Sequence, residues 1–386
     1  MHRPPFRRPA RSSPDARPES TPSVTPDPAP APASARIPSL DGFRGISIIL
    51  VLLGHLVGTA GFPPSAAPII HNGYLDVANL GVRVFFVISG LLITLLLLRE
   101  LEKTGRVSLR HFFFRRAFRI LPAYIAFVVV TIVAWRAGLV SLTGRDLAHA
   151  LTFTVNYDAS RSWGIGHLWS LSVEEQFYLL WPSLIALGGL ARGVRWARAL
   201  LVIGPLARLT WITLAPDATD LNGSTFETAA DAVAAGCLLA VYRETWWKSA
   251  TFRERLLSNV WLPIGWAIAL GLALRTRSQL VLGIPLQNIC IALTIERAVR
   301  DPSGMLSRVL NWKPLASIGL LSYSIYLWQQ HFLNRGVAGT FTAFPANIAV
   351  AAVLALVSYF WVEQPMLRLR ERIEARWKAR EAATVA

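Results

Sequence analysis

Ten apolar blocks of 16–24 residues alternate with short segments in which arginine and lysine collect. Blocks of that length exceed what a soluble core uses and suit a hydrocarbon layer about 30 Å thick. They fall at about 41–60, 75–98, 117–135, 166–188, 199–214, 227–242, 259–274, 279–297, 315–334 and 345–366. The fifth is the weakest, interrupted by Gly204, Pro205 and Arg208. The pattern predicts an all-α fold, a polytopic integral membrane helix bundle with about ten transmembrane helices. Only 16% of residues are charged against 53% hydrophobic, a balance low in charge for a soluble protein. A net charge of +16 raises nucleic acid as a partner. The placement of that charge between the blocks speaks instead for topology, and no nucleic acid is expected.

Alternating the sides puts 31 Lys and Arg on one face and 6 on the other, with Arg83 and Arg208 inside blocks. The positive-inside rule then places both termini in the cytoplasm and the chain in the cytoplasmic (inner) membrane. The turn holding Arg275 and Arg277 runs against the trend. Residues 1–36 carry ten prolines and no apolar run, and read as a disordered Pro-rich cytoplasmic tail. Residues 37–370 form the transmembrane domain, and 371–386 a basic cytoplasmic tail. Cys237 and Cys290 sit in apolar blocks and read as buried small residues, with no disulfide framework. No histidine pair has zinc spacing, so no metal is expected. No internal repeat is visible, which gives no support to a transporter built from inverted halves.

The first block opens L-D-G-F-R-G and ends on a histidine, Leu40 to His55. On a helix, Arg44 lies about 20° to one side of His55 and Asp41 about 40° to the other, so the three share a stripe. His55 is roughly 21 Å further along than Asp41. A titratable imidazole at that depth is a functional candidate. In the second block Gly81, Ser89 and Gly90 read as small packing residues. Arg83 either pairs with an acid or snorkels outward. Arg115, Arg116 and Arg119 crowd one face at the start of the third block. Lipid headgroups answer such a cluster, and so does a polyphosphate such as coenzyme A, because guanidinium binds phosphate bidentately.

The fourth block contains H-L-W-S-L-S-V-E-E-Q-F-Y, His167 to Tyr178. Glu174 is expected about 12 Å deep, level with His55 on a helix of opposite direction. There it either orients the imidazole or makes a buried pair with arginine. Asp231 is a further buried acid. In the ninth block Ser322, Tyr326, Gln329 and Gln330 form one polar face, either lining a cavity or gluing helices together. Trp169, Tyr178, Ser322, Tyr326 and Gln330 are the candidates for lining an acceptor cavity.

Together these stretches resemble the acyltransferase 3 family of membrane O-acyltransferases. The likeness is carried by L-D-G-F-R-G…H at 40–55, G-V-R-V-F-F-V-I-S-G at 81–90, R-R-A-F-R-I-L-P at 115–122 and the His167–Tyr178 stretch. S-Y-S-I-Y-L-W at 322–328 and V-E-Q-P at 362–365 close the series. The resemblance implies transfer of an acyl group, commonly acetyl from acetyl-CoA, onto a hydroxyl of a carbohydrate, a lipid-linked molecule or a small acceptor. It implies that His55 is the catalytic histidine, that Arg116 and Arg119 serve the donor and that Glu174 supports the site, with Asp41 and Arg44 belonging to the family's first essential motif and counted with the catalytic set. Arg115, from the same basic cluster, is the third donor-binding candidate. Acyl-CoA would be a co-substrate, with no bound cofactor. The hydrolase-like domain fused to some members is not expected. The chain departs from the family pattern at Arg83, just before Asp231, and at Gln329, where the family often has histidine. Two other readings stand: a transporter using His55 and Glu174 as a proton relay, and a non-catalytic membrane scaffold.

Overall fold

A computed structural model describes residues 37, 39–72, 75–215, 221, 223–273, 278–337 and 339–385. The expected tail 1–36 and the turn with Arg275 and Arg277 lie outside the described residues. Among the described residues the fold is all-helical apart from a two-residue antiparallel pairing of β1 (His71–Asn72) with β2 (Leu75–Asp76). The main helices are α1 (Leu40–Leu56), α2 (Val77–Thr104), α3 (Leu109–Arg136), α4 (Gly144–Leu151), α5 (Leu168–Leu214) and α6 (Phe226–Trp247). They continue with α7 (Trp261–Leu272), α8 (Ile284–Arg300), α9 (Lys313–Phe332), α10 (Ala346–Ser358) and α11 (Gln364–Val385). Among the described residues five helical stretches are long and apolar enough to cross a membrane: Val77–Thr104, Leu109–Arg136, Trp163–Leu214, Gln279–Arg300 and Ala346–Trp377.

Local chemistry sets the ends. Asp76 caps α2 by accepting from the backbone of Ala78 at 2.9 Å and Asn79 at 3.3 Å, satisfying N–H groups the helix leaves open. At its other end Gly105 takes a left-handed φ of 70°, which glycine adopts without a Cβ penalty. The fourth and fifth apolar blocks form the two arms of α5. Gly189 breaks the helix with φ 75° and ψ 164°. The chain folds back there: Trp196 stacks on Phe177 with ring centroids 6.2 Å apart. The segment 371–386, expected as a tail, is helical through Val385, and Trp377 packs on Phe114 of α3 at 4.4 Å.

Close helix contacts run through glycine. A Cβ on Gly319 of α9 would overlap the Asp41 carbonyl oxygen of α1, and one on Gly90 of α2 would overlap the Val233 carbonyl of α6. α1 and α9 run parallel, Gly45 lying against Leu315 and His55 against Gln329. α2 runs opposite to α1, with Gly81 over Ser47 and Gly54 against Ala78. Gly319→Val is therefore expected to destabilise the fold by about 3 kcal/mol. Gly271→Ala, whose Cβ meets nothing, is the control. Equal thermal midpoints for the two variants in detergent would contradict the close α1–α9 contact.

Buried charge is neutralised in one place by a shared acid. Asp231 of α6 takes Arg83 of α2 at 3.4 Å and Arg208 of the second α5 arm at 2.8 Å. Arg208 also donates to the Leu280 and Thr228 carbonyls at 2.7 and 2.5 Å. Arg83 thus pairs within the bundle and does not snorkel. The arginine that weakened the fifth block as a span is the residue that ties it to α6.

Candidate active site

A cavity of about 290 Å³ lies between α1, α2, α3, α5 and α9. Arg44, Arg116 and Arg119 line it together with one acid, Glu174. Glu174 accepts a hydrogen bond from Ser89 at 2.5 Å, and the Ser89 hydroxyl accepts from Tyr178 at 2.9 Å. The Arg116 guanidinium lies 3.5 Å from the centroid of the Tyr178 ring, a cation–π contact. Its Nε is buried and has no hydrogen-bond partner among the described residues. Arg44 reaches Asp41 at 3.4 Å. Three guanidiniums facing one carboxylate favour an anionic guest, and guanidinium suits phosphate oxygens. A second hollow of about 350 Å³ lies on the far side of Arg116, Ile120 and Tyr178. It includes Glu175, whose Oε1 is buried without a hydrogen-bond partner among the described residues.

At its other end the cavity is lined by Ser170 and Tyr326. The Ser170 and Tyr326 hydroxyls are 2.6 Å apart, and Tyr326 also donates to the His167 carbonyl at 2.5 Å. One turn further along α9, Gln329 Oε1 lies 2.9 Å from His55 Nδ1. His55 is half-buried and meets Trp163 edge-on at 5.8 Å between centroids. Among the described residues no group of three or more His, Cys, Asp or Glu is placed to hold a metal ion.

A family model described as an acyltransferase domain matches residues 37–362. The chain belongs to the acyltransferase 3 family. The O-acetyltransferase OatA of Staphylococcus aureus is 28% identical over 362 residues, covering 86% of this chain and 57% of its own length. The peptidoglycan O-acetyltransferase OatA of Listeria monocytogenes is 27% identical over 368 residues, covering 86% of this chain and 56% of its own. The chain thus spans a little over half the length of these relatives. No solved structure matches it.

Several sequence expectations for this acyltransferase 3 protein change in three dimensions. Glu174 was expected level with His55, yet it is held by Ser89 while His55 is held by Gln329. The reason is where α1 stops: it ends at Leu56, and Gly58 turns away with φ 86°. His55 therefore sits in the last turn, while Glu174 lies six residues into α5. Arg115 pairs with Glu100 at 3.7 Å and is not among the cavity residues, unlike Arg116 and Arg119. Tyr178, Ser322 and Tyr326 line the cavity. Trp169 stands behind it, edge-on to Phe86 at 6.1 Å, and Gln330 is turned toward the Trp163 backbone. Ser89, read as a packing residue, is polar machinery of the cavity. Its neighbour Gly90 carries the packing, and sequence offers no means of telling the two apart. Trp163 opens a four-residue helical turn, Trp163–Gly166, in a stretch whose sequence carries no periodicity to mark it.

Trp163 is held from the α4 side. Asp146 accepts from the Thr143 backbone and hydroxyl, both at 2.8 Å, and from the Ser162 backbone at 2.9 Å and hydroxyl at 2.7 Å. Burial pushes the Asp146 carboxyl up, but the Ser162 and Thr143 donors outweigh it and hold it below the ordinary carboxylate range. A carboxyl depressed in the folded state stabilises above its unfolded value, about pH 4, and that stability is lost as pH falls through the folded value. Asp146→Asn is expected to destabilise by about 1–3 kcal/mol at pH 7. It should also flatten the fall in thermal midpoint below pH 4. An unchanged acid limb would rule out the anchor.

Proposed function

We propose that this acyltransferase 3 protein moves an acetyl group from acetyl-CoA to a hydroxyl of a carbohydrate acceptor, as part of a ten-crossing bundle with both termini in the cytoplasm. One observation carries this reading: a cavity with three guanidiniums at one end closes, at the other, one helical turn short of His55. The names of the relatives favour acetyl as the group and a peptidoglycan-like glycan as the acceptor.

The CoA phosphates bind Arg116, Arg119 and Arg44, and the thioester arm extends past Ser89 and Glu174. To reach His55 it parts the Ser170–Tyr326 pair. His55 takes the acceptor hydroxyl's proton as that oxygen attacks the thioester carbonyl. The C–S bond then breaks, and the sulfur leaves as free thiol with the proton from the imidazolium. Glu174 holds Ser89 and Tyr178 in place along the donor path. The transporter alternative needs Glu174 beside His55, and their separate partners give it no support.

Purified protein in nanodiscs, given acetyl-CoA and a soluble glycan oligomer, is expected to release free thiol in step with acetylated glycan. Gradient-driven uptake into vesicles without thiol release would overturn the reading.

A further inference from the structure

Beside His55 lies a chain of side-chain amides that ends on a backbone carbonyl. We propose that Gln329 and Gln330 are positioning residues that lock His55 in the tautomer with hydrogen on Nδ1. The lone pair is thereby placed on Nε2. The catalytic consequence rests on the general-base reading of His55; the tautomer itself does not.

The orientation follows from the far end. The Trp163 carbonyl can only accept, so the Gln330 nitrogen 3.0 Å away is the NH₂ end of its amide. Gln330 Oε1 then faces Gln329 Nε2 at 3.0 Å, and Gln329 must donate. That leaves Gln329 Oε1 facing His55 Nδ1 at 2.9 Å. An amide oxygen only accepts, so Nδ1 carries the hydrogen. Amide ends of like shape are thus set by one backbone group three links away. Trp163 closes the loop by donating its indole N–H to the Gln330 carbonyl at 3.0 Å.

Burial makes the chain binding. Gln329 and Gln330 are 0% and 3% exposed, so water does not substitute for a missing partner. Turning either amide over would set two donors or two acceptors against each other. A neutral imidazole with hydrogen on Nδ1 has its basic lone pair on Nε2. When His55 gains a proton both nitrogens donate, and Gln329 Oε1 still accepts. The amide therefore serves both states of a base and never takes the proton itself. Trp163, edge-on to the imidazole ring, fixes ring and amide chain with one residue.

The test reads the tautomer directly. Protein labelled with ¹⁵N-histidine in nanodiscs is measured by solid-state NMR, with the His55 signals assigned by their loss in His55→Asn. Wild type is expected to show a protonated Nδ1 and an unprotonated Nε2 in the neutral form. Gln330→Met, which acts through Gln329, is expected to mix the tautomers and lower kcat roughly tenfold, with both KM values within about twofold. Gln329→Glu loses the donor to Gln330 Oε1 but keeps an acceptor oxygen toward Nδ1, and is expected to retain the Nδ1–H form. Hydrogen on Nε2 in wild type overturns the proposal, as does an unchanged signal in folded Gln330→Met. Should Gln330→Met fail to fold, the wild-type signal decides alone. Turnover surviving in His55→Asn would sink the general-base reading instead and leave the tautomer standing.

Discussion

His55→Ala protein is expected to insert and fold like wild type and to lose acyl transfer by about 10²–10⁴-fold. The side chain lies in the last turn of α1 and gives up its hydrogen bond to Gln329. Leaving the buried Gln329 Oε1 without that donor costs about 1–3 kcal/mol, too little to unfold a bundle whose α1 is clamped between α2 and α9. The effect on turnover is of another order, because without a base the acceptor hydroxyl attacks as a poor nucleophile. Purified variant is to be checked for monodispersity and then for thiol release at saturating donor and acceptor. Turnover retained within about tenfold of wild type would reject the role.

Arg116→Ala is expected to raise the donor KM about 10- to 100-fold, with the acceptor KM nearly unchanged. A charge-assisted hydrogen bond contributes about 1.5–3 kcal/mol, which gives that range. Arg116 is the strongest of the three basic candidates on geometry. It lines the cavity, lies over Tyr178, and carries a buried Nε with no hydrogen-bond partner among the described residues. Arg115→Ala is the comparison, since Arg115 is spent on Glu100 at a half-exposed site. Its donor KM should move by no more than about threefold. Equal shifts of both KM values in Arg116→Ala would count against a donor site.

Periodicity made much of this legible before any coordinates. The apolar blocks lie on helices, and Asp41, Arg44 and His55, read as one stripe, all lie on α1. The polar face of α9 divides along its length: Ser322 and Tyr326 line the cavity, while Gln329 and Gln330 serve His55. Depth was harder to read. It depends on where a helix stops, and α1 stops four residues before its apolar block does, where Gly58 and Gly61 take positive φ. That shift moves His55 away from the level of Glu174, and the Ser170–Tyr326 pair stands between them. Partner choice among arginines was likewise invisible. Arg115 and Arg116 are adjacent in the chain, and the 100° between neighbours sends one to Glu100 and the other into the bundle.

The two hollows on either side of Arg116 share one thin divider, the side chains of Arg116, Ile120 and Tyr178. Swinging the arginine off the tyrosine ring would remove one of the three side chains that part them. A phosphate that draws that guanidinium toward itself would then weaken the partition as it docks, so that arrival of one reactant loosens the wall between the two spaces.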